Sequence, residues 1–269
     1  MKIAVLTVYQ IYANKVVKEL LYKFGNDIVL IAESGVLLQN KSLLKSLVRY
    51  ARISGVYYIL VQALKLEIFK VMSFFYSLFG KDRDNKFYSY RVEAKKNKIG
   101  IYKVEDANSV EFKKEIKNNK IDVLVSVFFN QILKPDIIKI PKKGVINIHP
   151  AYLPDYKGVG PVFWALANGE KTSGVSVHYL NEGIDTGGII KRSKIRIEKK
   201  DTEDSLYWKA VLVGSPLLIS SIEEIMQGSA KTVPNKGGRY FSLPSKEAIK
   251  KFKKMGRRFF KIIEYIFRN

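Results

Sequence analysis

The feature that most constrains the fold is an alternation of short apolar runs with stretches of helical spacing. Lys2 to Val8 is a β-branched run, Asn14 to Phe24 repeats apolar residues at Val16, Val17, Leu20 and Leu21, and Asp27 to Ala32 is a second apolar run. Buried strands read as short continuous apolar segments, whereas a helix returns to one face every three or four residues. The opening is therefore strand, helix, strand. Residues Ile99 to Val104, Glu111 to Asn118 and Ile121 to Phe129 repeat that logic, and Lys143 to Ile148 supplies another buried strand. This order predicts an α/β fold with a mostly parallel, twisted sheet and helices on both faces. Ligands of such sheets bind beyond the carboxyl ends of the strands, where Phe128 to Leu133 and Asn147 to Pro154 both begin.

Between the second and third strands lies an insertion of roughly residues 36–97, too long and too apolar for an ordinary loop and expected to be helical. Its core, Ser54 to Phe79, approaches transmembrane length but carries Lys65, Glu67 and Lys70 near its middle, which argues against spanning. Two readings stand: helices packed on the sheet or on a second copy in a homodimer, or a helix lying in a membrane interface. Near the C-terminus Ile249, Phe252, Phe259, Ile263 and Ile266 recur at helical spacings among Lys250, Lys251, Lys253, Lys254, Arg257, Arg258 and Lys261. That pattern is a basic amphipathic helix, which either meets anionic lipid or RNA or docks its apolar side on the domain. The organisation expected is a domain over residues 1–200, with the helical insertion at about 36–97, and a helical, basic extension over 201–269.

Charge narrows the partners. With 47 Lys and Arg against 25 Asp and Glu, the formal charge of +22 favours nucleic acid, anionic lipid or phosphorylated small molecules. The absence of cysteine excludes disulfides, thiolate catalysis and the common zinc sites. Met1 runs directly into a strand pattern, so a cytoplasmic chain, with a peripheral place at the inner membrane surface as an extension of that reading, is expected.

Both histidines, His149 and His178, fall within Gly144 to Gly188. Asn147 and His149 stand two apart at a strand end, so their side chains share a face. Asp185 follows 38 residues after Asn147 in an Asp-Thr-Gly-Gly turn and can join them only through the fold; the glycines permit close backbone approach. His178 sits in a strand-like segment, either lining the pocket or serving as a satisfied structural histidine. The two histidines lack a local ligand spacing, so no metal is expected.

The string Asn147-Ile-His149-Pro-Ala-Tyr-Leu-Pro154, Gly158, Gly174-Val-Ser-Val-His178 and Asp185-x-Gly187 resembles the folate-dependent formyltransferases. That family includes glycinamide ribonucleotide, methionyl-tRNA and amino-sugar N-formyltransferases, and the likeness covers about residues 1–35 and 99–190. It implies a Rossmann-like formyltransferase fold, catalytic Asn147, His149 and Asp185, and 10-formyltetrahydrofolate as donor, held against Phe129, Asn130, Gln131 and Leu133 and against Asn181 and Glu182. In that chemistry an amine attacks a formyl carbon, and negative charge grows on the carbonyl oxygen. Asn147 and His149 offer donors to that oxygen, while Asp185 holds His149 protonated or takes the amine's proton through water. Ala151-Tyr152 stands where many relatives have Ser-Leu, and about 79 residues follow Ile190, fewer than the linker and β-barrel of the tRNA-modifying members. The expected acceptor is accordingly an amino sugar on a nucleotide or lipid phosphate. Methionyl-tRNA is the alternative, followed by glycinamide ribonucleotide, hydrolysis of the donor, and a non-catalytic protein docked on membrane or RNA.

Overall fold

The structure, a computed structural model of the chain, describes residues 1–35, 43–80 and 82–267. The first part of the insertion, residues 36–42, lies outside the described residues. Ile3–Val8 forms strand β1, Ile11–Phe24 helix α1 and Ile28–Ser34 strand β2. The insertion contributes α2 (Leu43–Ser54), α3 (Val56–Phe79) and α4 (Tyr90–Lys96), and is followed by β3 (Gly100–Val104), α5 (Val110–Asn118), β4 (Val123–Val127) and a short α6 (Pro135–Ile138). Then come β5 (Val145–His149), the two-residue β6 (Lys157–Gly158), α7 (Pro161–Ala167), β7 (Thr172–Tyr179), β8 (Ile189–Arg196) and α8 (Glu203–Gln227). The chain closes with β9 (Tyr240–Phe241), α9 (Lys246–Lys254) and α10 (Ile262–Phe267).

Seven strands form one sheet in the order β3-β2-β1-β4-β5-β7-β8. Pairings from β3 to β5 are parallel, and β5–β7 and β7–β8 are antiparallel. The period of two is visible in β1, all six residues of which are buried. Ile3 and Val5 enter a core with α1 and α8, while Ala4 and Leu6 enter a second core with Phe112 and Ile116 of α5 and Ile137 of α6. A strand with both faces covered reads as an unbroken apolar run, which is why β1 does.

Helix α8 lies in the first of these cores, through Leu206, Val211, Leu218 and Ile222. It starts on a reciprocal cap, with the Thr202 hydroxyl accepting from Ser205 N and the Ser205 hydroxyl accepting from Thr202 N. Among the described residues it is the one helix long and apolar enough to cross a membrane, and 56% of that window is buried. It is a layer of the domain. The amphipathic pattern after residue 245 is two helices, broken at Gly256, whose φ of +73° a side chain would resist. Ile249, Phe252 and Phe259 dock into the core against Phe163, whereas Ile263 stays exposed.

Helix α3 buries Phe69 in the first core, yet polar side chains share its inward side and large apolar ones its outward side. Its inward side carries Lys65, 6% exposed, whose ammonium donates to the Tyr12 hydroxyl at 2.9 Å and lies 3.8 Å from Asp204 Oδ1. On the same side Ser73 bonds the Tyr9 hydroxyl and Gln62 donates to Glu203. Its outward side shows Leu60 and Phe74 at 63% and 61% exposure.

Candidate active site

Asn147 and His149 occupy the last turn of the pleat in β5, side by side on one face as their spacing predicts. The neighbouring strands fix the carboxamide between them. Ser126 of β4 pairs in register with Asn147, and its hydroxyl donates to Oδ1 at 2.8 Å. On the other side His178 of β7 pairs with Asn147, and its Nε2 lies 3.2 Å from Nδ2. His178 is fully buried and its Nδ1–H donates to the Tyr179 carbonyl at 2.8 Å, which leaves Nε2 as the nitrogen facing the site. One amide hydrogen of Asn147 is therefore aimed at His178, and the other has no partner among the described residues.

Asp185 reaches this group by a detour. Because β7 runs antiparallel to β5, the chain leaves it at the end away from His149, and the loop after Tyr179 returns along the sheet. Gly187 permits that return, since a Cβ there would sit 1.9 Å from the Tyr179 carbonyl oxygen. The Asp185 carboxylate ends with Oδ2 at 3.6 Å from His149 Nδ1 and Oδ1 at 3.4 Å from His178 Nε2, and Gly158 N donates to Oδ2 at 2.8 Å. Its backbone is left-handed, φ +50°, and Asn235 secures the loop by donating to the carbonyls of both Asp185 and Gly187 at 2.9 Å. Burial pushes the carboxyl up, but the charges of His149 and His178, the His178 contact and the Gly158 N–H outweigh it. Asp185 is held well below the usual carboxylate range, as an anion.

His149 is clamped from the other side by its Nε2–H, which donates to the Tyr156 carbonyl at 2.8 Å. Both imidazoles thus give one nitrogen to a main-chain carbonyl and turn the other toward the same carboxylate. His178 Nε2 lies between two groups, 3.2 Å from the Asn147 amide nitrogen and 3.4 Å from Asp185 Oδ1. The cluster can orient a donor for a carbonyl oxygen and hold a proton beside an anion, which are the requirements of acyl transfer to an amine.

The other residues singled out in the sequence serve differently. Phe129, Asn130 and Gln131 follow β4 directly, beyond Phe128, whose φ of +53° turns the chain out of the strand. The Asn130 amide bonds Ser34 and the Gly35 carbonyl, and the Gln131 amide accepts from Ala107 N and donates to Glu105 O, so both tie the loops at this edge together. Leu133 is buried in the second core. Asn181 accepts from Gly183 N and the Thr186 hydroxyl, shaping the loop that bears Asp185, and Glu182 is exposed. Three contributors escaped the sequence reading. Ser126 was signalled as the single polar residue in an apolar strand, Tyr156 acts through a main-chain carbonyl, and Asn235 lies 50 residues beyond Asp185 with no local mark. Among the described residues no group of three or more His, Cys, Asp or Glu is arranged to hold a metal ion.

The model of the formyl transferase family matches residues 62–222, and the chain belongs to that family. The match begins inside the insertion and runs into α8, past the segments that carry the sequence motif. Over 144 residues the chain is 35% identical to the methionyl-tRNA formyltransferase of Pelotomaculum thermopropionicum, covering 54% of this chain and 45% of that protein. The chain spans about half the length of the curated methionyl-tRNA formyltransferases it matches. In fold it is similar to an N-formyltransferase from Helicobacter canadensis solved with folinic acid and dTDP-3-aminofucose, at a TM-score of 0.57 and 22% identity, over 90% of this chain and 71% of that one. It is also similar to the phosphoribosylglycinamide formyltransferase of Anaplasma phagocytophilum, at a TM-score of 0.59 and 15% identity, over 90% and 98% of the two chains. The formyltransferase fold expected from the motif is the fold found.

Proposed function

We propose that this protein is an N-formyltransferase that moves a formyl group from 10-formyltetrahydrofolate to the amine of an amino sugar carried on a nucleotide or lipid phosphate. The observation that carries the reaction is the meeting of Asn147, His149 and Asp185, distant in sequence, around one point at the rim of the sheet. In this reading the free N–H of Asn147 and the His149 imidazole stabilise the oxygen of the formyl carbon as the amine adds to it. The new bond is carbon to amine nitrogen, the bond broken joins that carbon to the folate nitrogen, and tetrahydrofolate leaves. Asp185 takes the amine's surplus proton, directly or through water, and that proton passes to the folate nitrogen as its bond to the formyl carbon breaks, so tetrahydrofolate leaves as the neutral amine. A flat, polar-edged donor suits the residue 129–133 segment, where Phe129 supplies an aromatic side chain. The amides of Asn130 and Gln131 already hold neighbouring loops, so in this reading recognition there uses backbone groups.

For the acceptor, support comes from the likeness over 90% of the chain to a structure whose bound sugar is dTDP-3-aminofucose, and from a charge of +22 that suits phosphates. The curated relatives favour methionyl-tRNA as the second reading. The test is incubation with 10-formyltetrahydrofolate and, separately, a panel of nucleotide-linked amino sugars and charged initiator tRNA, following tetrahydrofolate release. Release that depends on an amino sugar is the expected result. Release with tRNA alone selects the second reading, and release without any acceptor makes the protein a hydrolase.

A further inference from the structure

The outward face of α3 has no use in the proposed reaction and no partner among the described residues. Leu60, Leu64, Val71, Phe74, Phe75 and Leu78 follow one another at spacings of one, three, four and seven, which on a helix is one stripe, with exposed Glu67 at its middle. At 1.5 Å per residue the stripe from Leu60 to Leu78 runs over about 27 Å. The inward side of the helix buries Phe69 in the core and holds Lys65, Gln62 and Ser73 in closed hydrogen bonds, so the outer stripe is apolar surface beyond what the fold uses. Helix α10 lies beside it, fastened by the Tyr265 hydroxyl to the Lys65 carbonyl, and exposes Ile263 and Phe267 at 74% and 75%.

Cations stand at one end of this surface. Tyr57, one turn before Val61 and two before Leu64 on the same helix, shares a cleft of about 460 Å³ with Lys253, Arg257 and Arg258. The Lys253 ammonium sits 4.1 Å from the centre of the Tyr57 ring. An apolar stripe bordered by a basic cleft is the arrangement that binds an anionic bilayer, with the stripe at the acyl boundary and the cations among the headgroups. Spanning is excluded by Lys65, Glu67 and Lys70 near the middle of the helix. A second copy fits less well, because each brings a charge of +22 to the contact and the exposed Glu67–Lys70 pair, 2.7 Å apart, would be buried dry in it. On a bilayer the helix docks no deeper than the level at which Glu67, paired with Lys70, keeps its water among the headgroups.

We infer that the outer face of α3, with α10 and the basic cleft of Lys253 and Arg258, docks this protein on an anionic membrane surface. This inference goes beyond the transfer reaction and does not depend on it. The experiment is co-sedimentation of the full chain with vesicles of phosphatidylcholine mixed with phosphatidylglycerol, and with vesicles of phosphatidylcholine alone. Binding to the mixed vesicles at least about tenfold tighter, and weakening with salt, is expected. Lys253→Glu with Arg258→Glu should weaken it by about thirtyfold, and Leu60→Ser with Phe74→Ser by more than about tenfold. The second pair changes exposed side chains only, and an unchanged melting temperature certifies that each variant is folded. Equal binding to both vesicle types, no binding to either, or unchanged binding by the Leu60/Phe74 variant overturns the inference. A dimer in sedimentation equilibrium that the Leu60/Phe74 variant dissolves overturns it in favour of a second copy.

Discussion

Two clusters of buried polar side chains hold this molecule, one around Asp185 and one around Lys65, and they are built to opposite ends. Around Lys65 every group closes on another: the ammonium on the Tyr12 hydroxyl and Asp204, the Tyr12 hydroxyl on Asp204, and Gln62 on Glu203. Burial there pushes the Glu203 carboxyl up, with Lys65 opposing. Around Asp185 each imidazole gives one nitrogen to a main-chain carbonyl, His149 to Tyr156 and His178 to Tyr179, and turns the other to the carboxylate, while a hydrogen of Asn147 is left over. A closed cluster is a fastening and an open one is a tool, although burial alone does not tell them apart.

Substitutions in each should separate the two. The largest effect is expected for His149→Asn, which should lower kcat by about 10²- to 10⁴-fold with little change in melting temperature; near-normal turnover would remove His149 from the chemistry. Asp204→Ala should do the reverse. It takes the acceptor from the Tyr12 hydroxyl and one of the two carboxyls from the Lys65 ammonium, and the loss should be about 3–5 kcal/mol in denaturant unfolding, because breaking a buried pair leaves charge poorly compensated. A loss under about 1 kcal/mol would show that water or a rearranged side chain satisfies Lys65.

The smallest expected effect sharpens the contrast by pH. Asp185→Asn should cost about 1–3 kcal/mol at neutral pH. A carboxyl held below its usual value stabilises the fold fully above the unfolded value, about 3.9, and loses that contribution as pH falls through the lower folded value. The difference in melting temperature between parent and variant should therefore not narrow between about pH 7 and about pH 5, and should close only further into acid. A difference that stays constant down to about pH 2 would mean an ordinary carboxylate, bound no more tightly as the anion than as the acid.

Much of this was legible in the sequence, and the omissions have physical causes. Apolar runs marked β1, β2, β4 and β5 because both faces of the parallel part are covered, and the two-residue spacing put Asn147 and His149 together. Asp185 was reachable only through family resemblance, since 38 intervening residues say nothing about distance, and its route depends on an antiparallel strand and a glycine. The basic pattern after residue 245 read as one helix because periodicity continues across Gly256, where the backbone does not. For α3 the sequence predicts a helix without dividing it into faces. Which face turns inward was not in the pattern, because a periodic sequence carries no sign; Tyr12, Asp204 and Glu203, from elsewhere in the chain, supply it.

Asn235 and the two-residue sheet of β6 with β9 have a bearing on how the molecule comes into being. The segment that ties down the Asp185 loop and pairs with Lys157–Gly158 is synthesised after α8, so the sheet and most of its helices can emerge from the ribosome before Asn235 is there to fix that loop. Placement of the Asp185 carboxylate is thus a late event in the birth of this chain, conferred by a stretch that follows all seven strands of the sheet.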